Sequence, residues 1–177
     1  MADRTKIWIA DHMKELMKHK PLSRIRITEI CQAAEIERST FYYHFADKYD
    51  LVAWIFFHAA ENTDVIDQKD AAESIRRMKN EILFFRRAFE DNSQNALWEY
   101  MYEYFVKEYT DAAKRKLGTD TLDTQLLFSI RMYCYGGIGM SREWILEDNV
   151  TSAETVISMM FNSMPRCMRD VYFGKGA

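Results

Sequence analysis

Apolar residues recur at intervals of three and four along most of the chain, which is the period of an amphipathic α-helix. In the first such segment, over about residues 4–18, an apolar stripe lies on one side of the helix and charged positions lie on the other. The stripe consists of Ile9, Met13, Leu16 and Met17. No segment shows the sustained alternation of a half-buried strand, and only two prolines and six glycines interrupt the pattern. The chain is therefore predicted to be all-α.

Two short helices are expected early in the chain, over about residues 27–34 and 38–45, with the tight turn "EIE" at 35–37 between them. Asp47 can cap a further helix, whose apolar positions begin at Leu51. Two short helices joined by a tight turn and preceded by a longer helix are typical of a helix-turn-helix.

Beyond residue 60 the predicted helices are longer. They are one over about residues 71–89, one that Asn92 or Ser93 opens and Gly118 ends, one within 119–148, and one from a capping box of Thr151 and Glu154 to about Arg169, which Pro165 kinks or ends. This change predicts a helix-turn-helix domain over residues 1–50, with helix 47–60 as its connector. A second domain is expected over residues 51–177, and we expect it to be an antiparallel helical bundle.

Composition excludes several classes of protein. The chain is 48% hydrophobic and 29% charged, so it can bury a core. Its longest apolar stretch, "LVAWIFF", is far below the ~20 residues of a membrane helix, and no signal-like segment follows Met1, so a cytoplasmic protein is expected. Three scattered cysteines and four histidines lack metal-ligand spacing, and no catalytic motif is present. We therefore expect no metal, no cofactor and no enzymatic activity.

The formal net charge of −3 hides a local basic segment. Between Lys14 and Arg26 there are five basic side chains and one acidic residue, Glu15. Such a segment is either a solvated helix face or a small phosphate-binding surface.

The stretch "STFYYHF", residues 39–45, carries the candidate chemistry. Phe41 and Phe45 are four apart and can fasten their helix to the small domain. The remaining side chains are hydrogen-bonding groups suited to base edges and phosphate oxygens. Two interpretations stay open on the pattern alone, a DNA-binding unit and an ordinary three-helix packing unit.

The segment "ITEICQAAEIERSTFYYHFADKYDL" resembles the N-terminal domain of the tetracycline-repressor (TetR) family of bacterial transcription regulators. Its "RSTFYxHFxDKYDL" frame is especially similar to a subgroup common in low-GC Gram-positive bacteria. The resemblance implies two sets of DNA contacts. Base contacts are implied for Arg38, Ser39, Thr40, Tyr43 and Thr28, and phosphate contacts for Tyr42, His44, Lys48 and Arg26.

Three positions depart from the family pattern. Arg26 stands where Ser or Thr is usual, Glu35 where Gly is usual, and Glu37 where Ser is usual. Glu35 is therefore expected to adopt a left-handed backbone conformation, which costs a residue other than glycine roughly 1 kcal/mol. The acidic turn also places negative charge close to the expected DNA surface.

The resemblance also implies that the second domain forms a dimer interface and a pocket for a small molecule. An aromatic-rich segment over residues 98–109 supports either such a pocket or a plain aromatic core. The candidate pocket for a small hydrophobic or aromatic ligand comprises Phe84, Tyr102, Phe105, Phe128, Met132 and Tyr135. Gly136, Gly137 and Gly139 lie within a helical pattern, which indicates a break or the close approach of another helix. We expect segments 122–146 and 152–170 of two chains to form the interface of a homodimer.

Two functional hypotheses follow. The first is a homodimeric repressor that reads a palindromic operator in double-stranded DNA and is released by a small-molecule effector. The second is a co-activator or regulator that acts through a protein partner, which the acidic Glu35 and Glu37 keep open.

Overall fold

The computed structural model describes residues 2–59, 64–91, 97–147 and 150–174. These residues form ten α-helices, a short 3-10 turn at Leu22–Arg24 and no strand, so the prediction of an all-α protein is confirmed. The helices are α1 (Ala2–His19), α2 (Ile27–Ala33), α3 (Arg38–His44), α4 (Lys48–Ala59), α5 (Gln68–Asn80), α6 (Ile82–Glu90), α7 (Leu97–Leu117), α8 (Thr124–Leu146), α9 (Ala153–Asn162) and α10 (Arg166–Tyr172).

The chain divides into two compact units. The first comprises Met1–Glu61 together with Glu81–Leu97, and the second comprises Asn62–Asn80 together with Trp98–Ala177. The first unit thus contains α4 and α6 in addition to the expected helix-turn-helix. The assignment of separate functions to residues 1–50 and 51–177 stays a prediction.

The core of the first unit lies among α1, α2, α3 and α4, where α1 contacts the other three and α2 contacts α3. Ile9, Met13 and Met17 on α1 are fully buried, so the predicted stripe faces this core. Phe41 and Phe45 are buried as well, and their ring centroids lie 5.8 Å apart. The two rings therefore fasten α3 to its unit, as the spacing predicted.

The turn between α2 and α3 is a Schellman motif with an acidic residue at its left-handed position. Glu35 has a φ of 52°, which confirms the left-handed conformation expected from the sequence. The amide of Ile36 donates to the carbonyl of Cys31 over 2.9 Å, and the amide of Glu35 donates to Gln32 over 3.3 Å. The indole Nε1 of Trp8 donates to the carbonyl of Ala34 over 2.9 Å. This bond from α1 fixes the turn, and no sequence pattern indicated it.

The helix expected over residues 71–89 is wrong, because the structure has two helices there. α5 ends at Asn80 and α6 begins at Ile82, with Glu81 between them. α5 buries Ile75 and packs on α9 in the second unit, whereas α6 buries Phe85 and packs on α1 in the first. The two halves belong to different units, and the helix is interrupted between them.

The helix ends in the second unit follow the sequence only in part. Gly118 has a φ of 63° and ends α7 as expected, while the predicted openings at Asn92 or Ser93 lie outside the described residues. α8 runs without a break through its glycines. The expected last helix is two helices, α9 and α10. Its cap is Ser152 rather than Thr151, because the Ser152 hydroxyl accepts the amide of Thr155 over 3.2 Å.

The core of the second unit is rich in tyrosine. The hydroxyl of Tyr109 donates to the carbonyl of Val65 over 2.9 Å, and that of Tyr172 donates to the carbonyl of Tyr109 over 2.8 Å. Burial raises the pKa of Tyr109, Tyr133 and Tyr172, that of Tyr133 to about 12. They stay neutral and tie α7, α8 and α10 together.

None of the helices in the described ranges is long and apolar enough to cross a membrane.

Candidate nucleic-acid interface

Three pairs of side chains, each four residues apart, cover the outer surface of α3. Ser39 and Tyr43 lie opposite the buried Phe41 and Phe45, and Tyr43 is 82% exposed. Arg38 and Tyr42 form one flank, and Thr40 and His44 form the other. A short helix with one buried edge and an outward row of hydrogen-bonding groups can enter the major groove of DNA.

The flank formed by Arg38 and Tyr42 is preorganised. Nη2 of Arg38 donates to the hydroxyl of Tyr42 over 3.4 Å, and the guanidinium lies 5.8 Å from the centre of the Tyr42 ring. The hydrogen bond to Tyr42 raises the pKa of Arg38, so the guanidinium stays charged. Its position at the start of α3 suits a base edge or a phosphate oxygen equally well.

The first turn of α2 presents Arg26 and Thr28, both exposed. The amide of Arg26 donates to Oε2 of Glu29 over 2.9 Å, which is one half of a capping box. The other oxygen of Glu29 accepts the ammonium of Lys20, and this hydrogen bond is the main reason why the pKa of Glu29 is lowered. The side chain of Arg26 is exposed.

Acidic partners neutralise much of the basic segment between Lys14 and Arg26. Lys14 pairs with Glu81 over 2.9 Å, Lys18 pairs with Glu15, and Lys20 pairs with Glu29. Glu29 and Glu81 lie outside the segment in sequence, so its local charge count overestimated the cationic surface. The arginines of the segment, Arg24 and Arg26, are both exposed.

Lys48 is engaged inside the first unit. Its ammonium donates to the carbonyls of Leu22, Ser23 and Ile25 over 2.8, 3.1 and 3.0 Å. The group is half-buried, and burial lowers its pKa. Asp47 caps α4 as predicted, since Oδ1 accepts the amides of residues 49 and 50 over 2.8 Å each. In this conformation the three donors of Lys48 are all used within the protein.

The candidate pocket residues are divided between the two units. Phe84 is buried in the first unit, and the other five belong to the second. Tyr102 and Tyr135 meet edge to face with ring centroids 6.1 Å apart. Phe128, Met132 and Tyr135 lie on an exposed face of α8, where Phe128 is 65% exposed. Whether these residues bind a ligand stays a prediction.

An open groove of about 470 Å³ runs between α8 and α9. Of the candidate pocket residues, it includes Met132. Its lining is dominated by methionine, glycine and aromatic residues, among them Tyr133, Gly137, Met140, Trp144 and Met159. A Cβ built on Gly136, Gly137 or Gly139 meets nothing within 4 Å. The packing of a single chain therefore does not require these glycines.

Comparisons with known proteins agree with this arrangement of helices. A chain named HTH-type dhaKLM operon transcriptional activator DhaS, from Lactococcus lactis subsp. lactis (strain IL1403), is 24% identical over 161 residues, which are 87% of this chain and 85% of the relative. The solved dihydroxyacetone kinase operon activator DhaS superposes with a TM-score of 0.60 at 21% identity, over 90% of this chain and 93% of the other. A TetR transcriptional regulator from Rhodococcus sp. RHA1 superposes with a TM-score of 0.61 at 14% identity, over 98% and 99% of the two chains.

Two family descriptions match the sequence itself. Residues 9–55 match "Bacterial regulatory proteins, tetR family", and residues 70–166 match the tetR "Transcriptional regulator C-terminal region". Together they span the helix-turn-helix and more than half of the chain. Regulators of this family are DNA-binding transcription factors and not enzymes. The chain therefore belongs to the tetR family of bacterial transcription regulators.

Proposed function

We propose that this regulator is a homodimer that reads a palindromic operator through α3 and is controlled by a small hydrophobic or aromatic effector. The observation that carries the proposal is the outward row on α3, where the Tyr43 side chain is 82% exposed and its ring meets that of His44 edge to face. An aromatic ring held in water on a rigid short helix is suited to contact with a base. Base contacts are assigned to Arg38, Ser39, Thr40, Tyr43 and Thr28.

Phosphate contacts are assigned to Tyr42, His44 and Arg26, which surround that row. The dimer is assigned to α8, α9 and α10, and the groove between α8 and α9 supports this assignment. Glycines that the single chain does not need are expected where a second backbone approaches closely.

Whether the regulator represses or activates transcription is a second question. A relative 24% identical to this chain is named an activator, so activation is proposed beside repression. Action through a protein partner remains the alternative, and exposed Glu35 and Glu37 beside α3 favour it because they repel phosphate.

Selection from sheared genomic DNA with the purified protein, followed by gel shift of the enriched fragments, tests the proposal. We expect Tyr43→Ala to lower affinity for an enriched fragment about tenfold or more and to leave binding to random DNA and the melting temperature unchanged. Leu117→Ala, which truncates an exposed apolar side chain in the second unit, serves as the control. If no fragment is enriched under low-salt conditions, the partner hypothesis replaces direct operator binding.

A further inference from the structure

We propose that Lys48 is a positioning residue that ties the start of α4 to the segment preceding α2, and that it is not a phosphate ligand. The three acceptors of its ammonium lie 23 to 26 residues earlier in the chain, in the 3-10 turn and at Ile25. An ammonium has three N–H donors, so three carbonyls at 2.8 to 3.1 Å use all of them.

The position of these carbonyls links the start of α4 to the entry of α2. Ile25 is buried and precedes Arg26, the N-cap residue of α2, while Lys48 is the first residue of α4. A displacement of the first turn of α4 therefore pulls on the residue just before the helix-turn-helix. Lys48 thus makes the start of α4 and the entry to α2 move as one body.

The surroundings of the ammonium agree with a structural role. It lies 5.2 Å from the centre of the Tyr49 ring, and Asp47 on the same turn is occupied in capping α4. A half-buried ammonium whose donors all face carbonyls would have to break those bonds to reach a phosphate. The exposed Arg26 and Arg38 are not restrained in this way.

The first experiment needs no DNA. Lys48→Met keeps the aliphatic stem and removes the donors, and we expect its melting temperature to fall by about 5 °C or more. Hydrogen exchange should accelerate at the amides of Ile25 and Glu29, which donate to Leu22 and Arg26. Lys116→Met, an exposed lysine on α7, is the matched control and should change neither. An unchanged melting temperature and unchanged exchange in Lys48→Met would overturn the proposal.

The second experiment rests on the proposed function, because it measures operator binding against salt. We expect Lys48→Met to bind more weakly with an unchanged slope of log affinity against log salt. A phosphate ligand predicts a slope that is shallower by about 0.9 for each protomer, about 1.8 for the homodimer, and that result would overturn the proposal even if stability also fell.

Lys48→Arg completes the set. It keeps the charge, but its planar fork does not match three converging carbonyls, so stability should fall here too. Full affinity and stability in Lys48→Arg would contradict a positioning role. If Lys48→Met does not fold, Lys48→Arg carries the stability and exchange measurements, and its affinity takes the place of the salt slope because its charge is retained. If the wild-type protein binds no DNA, the proposed function fails, and the exchange experiment still decides whether the tie exists.

Discussion

At the scale of single residues, the acidic turn before α3 departs from the usual backbone preferences of amino acids. Glu35 adopts φ 52° in a Schellman motif, where glycine is the usual residue. The indole of Trp8 donates to the carbonyl of Ala34. The amides of Glu35 and Ile36 donate to carbonyls of α2. The turn is therefore held in place by its neighbours despite the left-handed strain at Glu35.

Replacing Glu35 separates strain from charge. Glu35→Gln removes the charge and keeps the strain, whereas Glu35→Gly removes both and adds the chain entropy of glycine. We expect Glu35→Gly to exceed Glu35→Gln in unfolding free energy by about 0.5–1 kcal/mol, since relief of left-handed strain outweighs the entropy term. Urea denaturation of both variants measures the difference. A glycine variant less stable than the glutamine variant would show that the turn is not strained.

The same pair tests the electrostatic effect of the turn. Both variants should bind an enriched DNA fragment more tightly than the wild type, and to a similar extent, because both lose one negative charge. Glu37→Gln, which alters an exposed neighbour without any change of backbone, is the control for charge alone.

At the scale of whole elements, the short N-terminal helices were predictable and several later ones were not. α2 and α3 lie within one residue of their predicted ends, because their turn and buried faces are local features. The break at Glu81 could not be predicted, since α5 and α6 each continue the same apolar period. Only packing against two different cores separates them.

The same distinction between local features and distant contacts applies to the candidate interface residues. The outward row on α3 followed from the burial of Phe41 and Phe45 four residues apart. The partners of Lys48 and Lys20 depend on contacts with distant carbonyls and with Glu29, and a local charge count does not contain them. Sequence periodicity therefore predicted which face of a helix is exposed, but not which exposed cations are already paired.

The glycines of α8 give a prediction whose sign depends on assembly. A methyl group on Gly137 or Gly139 meets nothing within 4 Å, so Gly→Ala should stabilise the isolated chain by up to about 1 kcal/mol through helix propensity. In a dimer whose second backbone approaches here, the same methyl groups weaken association by about 1–3 kcal/mol through overpacking. Denaturation at low concentration and analytical ultracentrifugation measure the two effects separately.

Gly118→Ala is the matched control for these variants. Its added Cβ also meets nothing, but its φ of 63° makes alanine unfavourable, so this variant should lose stability. Stabilised α8 variants with unaltered dimerisation would place the second chain elsewhere.

At the scale of the whole molecule, operator reading and dimer formation are one linked equilibrium. Two copies of α3 reach successive major grooves only when the dimer sets them about one helical turn apart, ~34–36 Å. A variant that weakens the dimer should therefore bind an operator poorly at low protein concentration and recover at high concentration, because mass action restores the dimer. A variant that damages the reading surface should not recover.

Met140→Glu is designed to weaken the dimer, and Tyr43→Ala is designed to damage the reading surface. Met140 is exposed on α8 and lines the groove, so a glutamate there leaves the single chain folded but places two like charges in the interface. We expect the operator binding of Met140→Glu to depend steeply on protein concentration and to approach that of the wild type at high micromolar concentration. Met140→Leu should bind as the wild type does, and Tyr43→Ala should stay weak throughout. Weak binding of Met140→Glu that concentration does not restore would separate the α8–α9 groove from dimer formation.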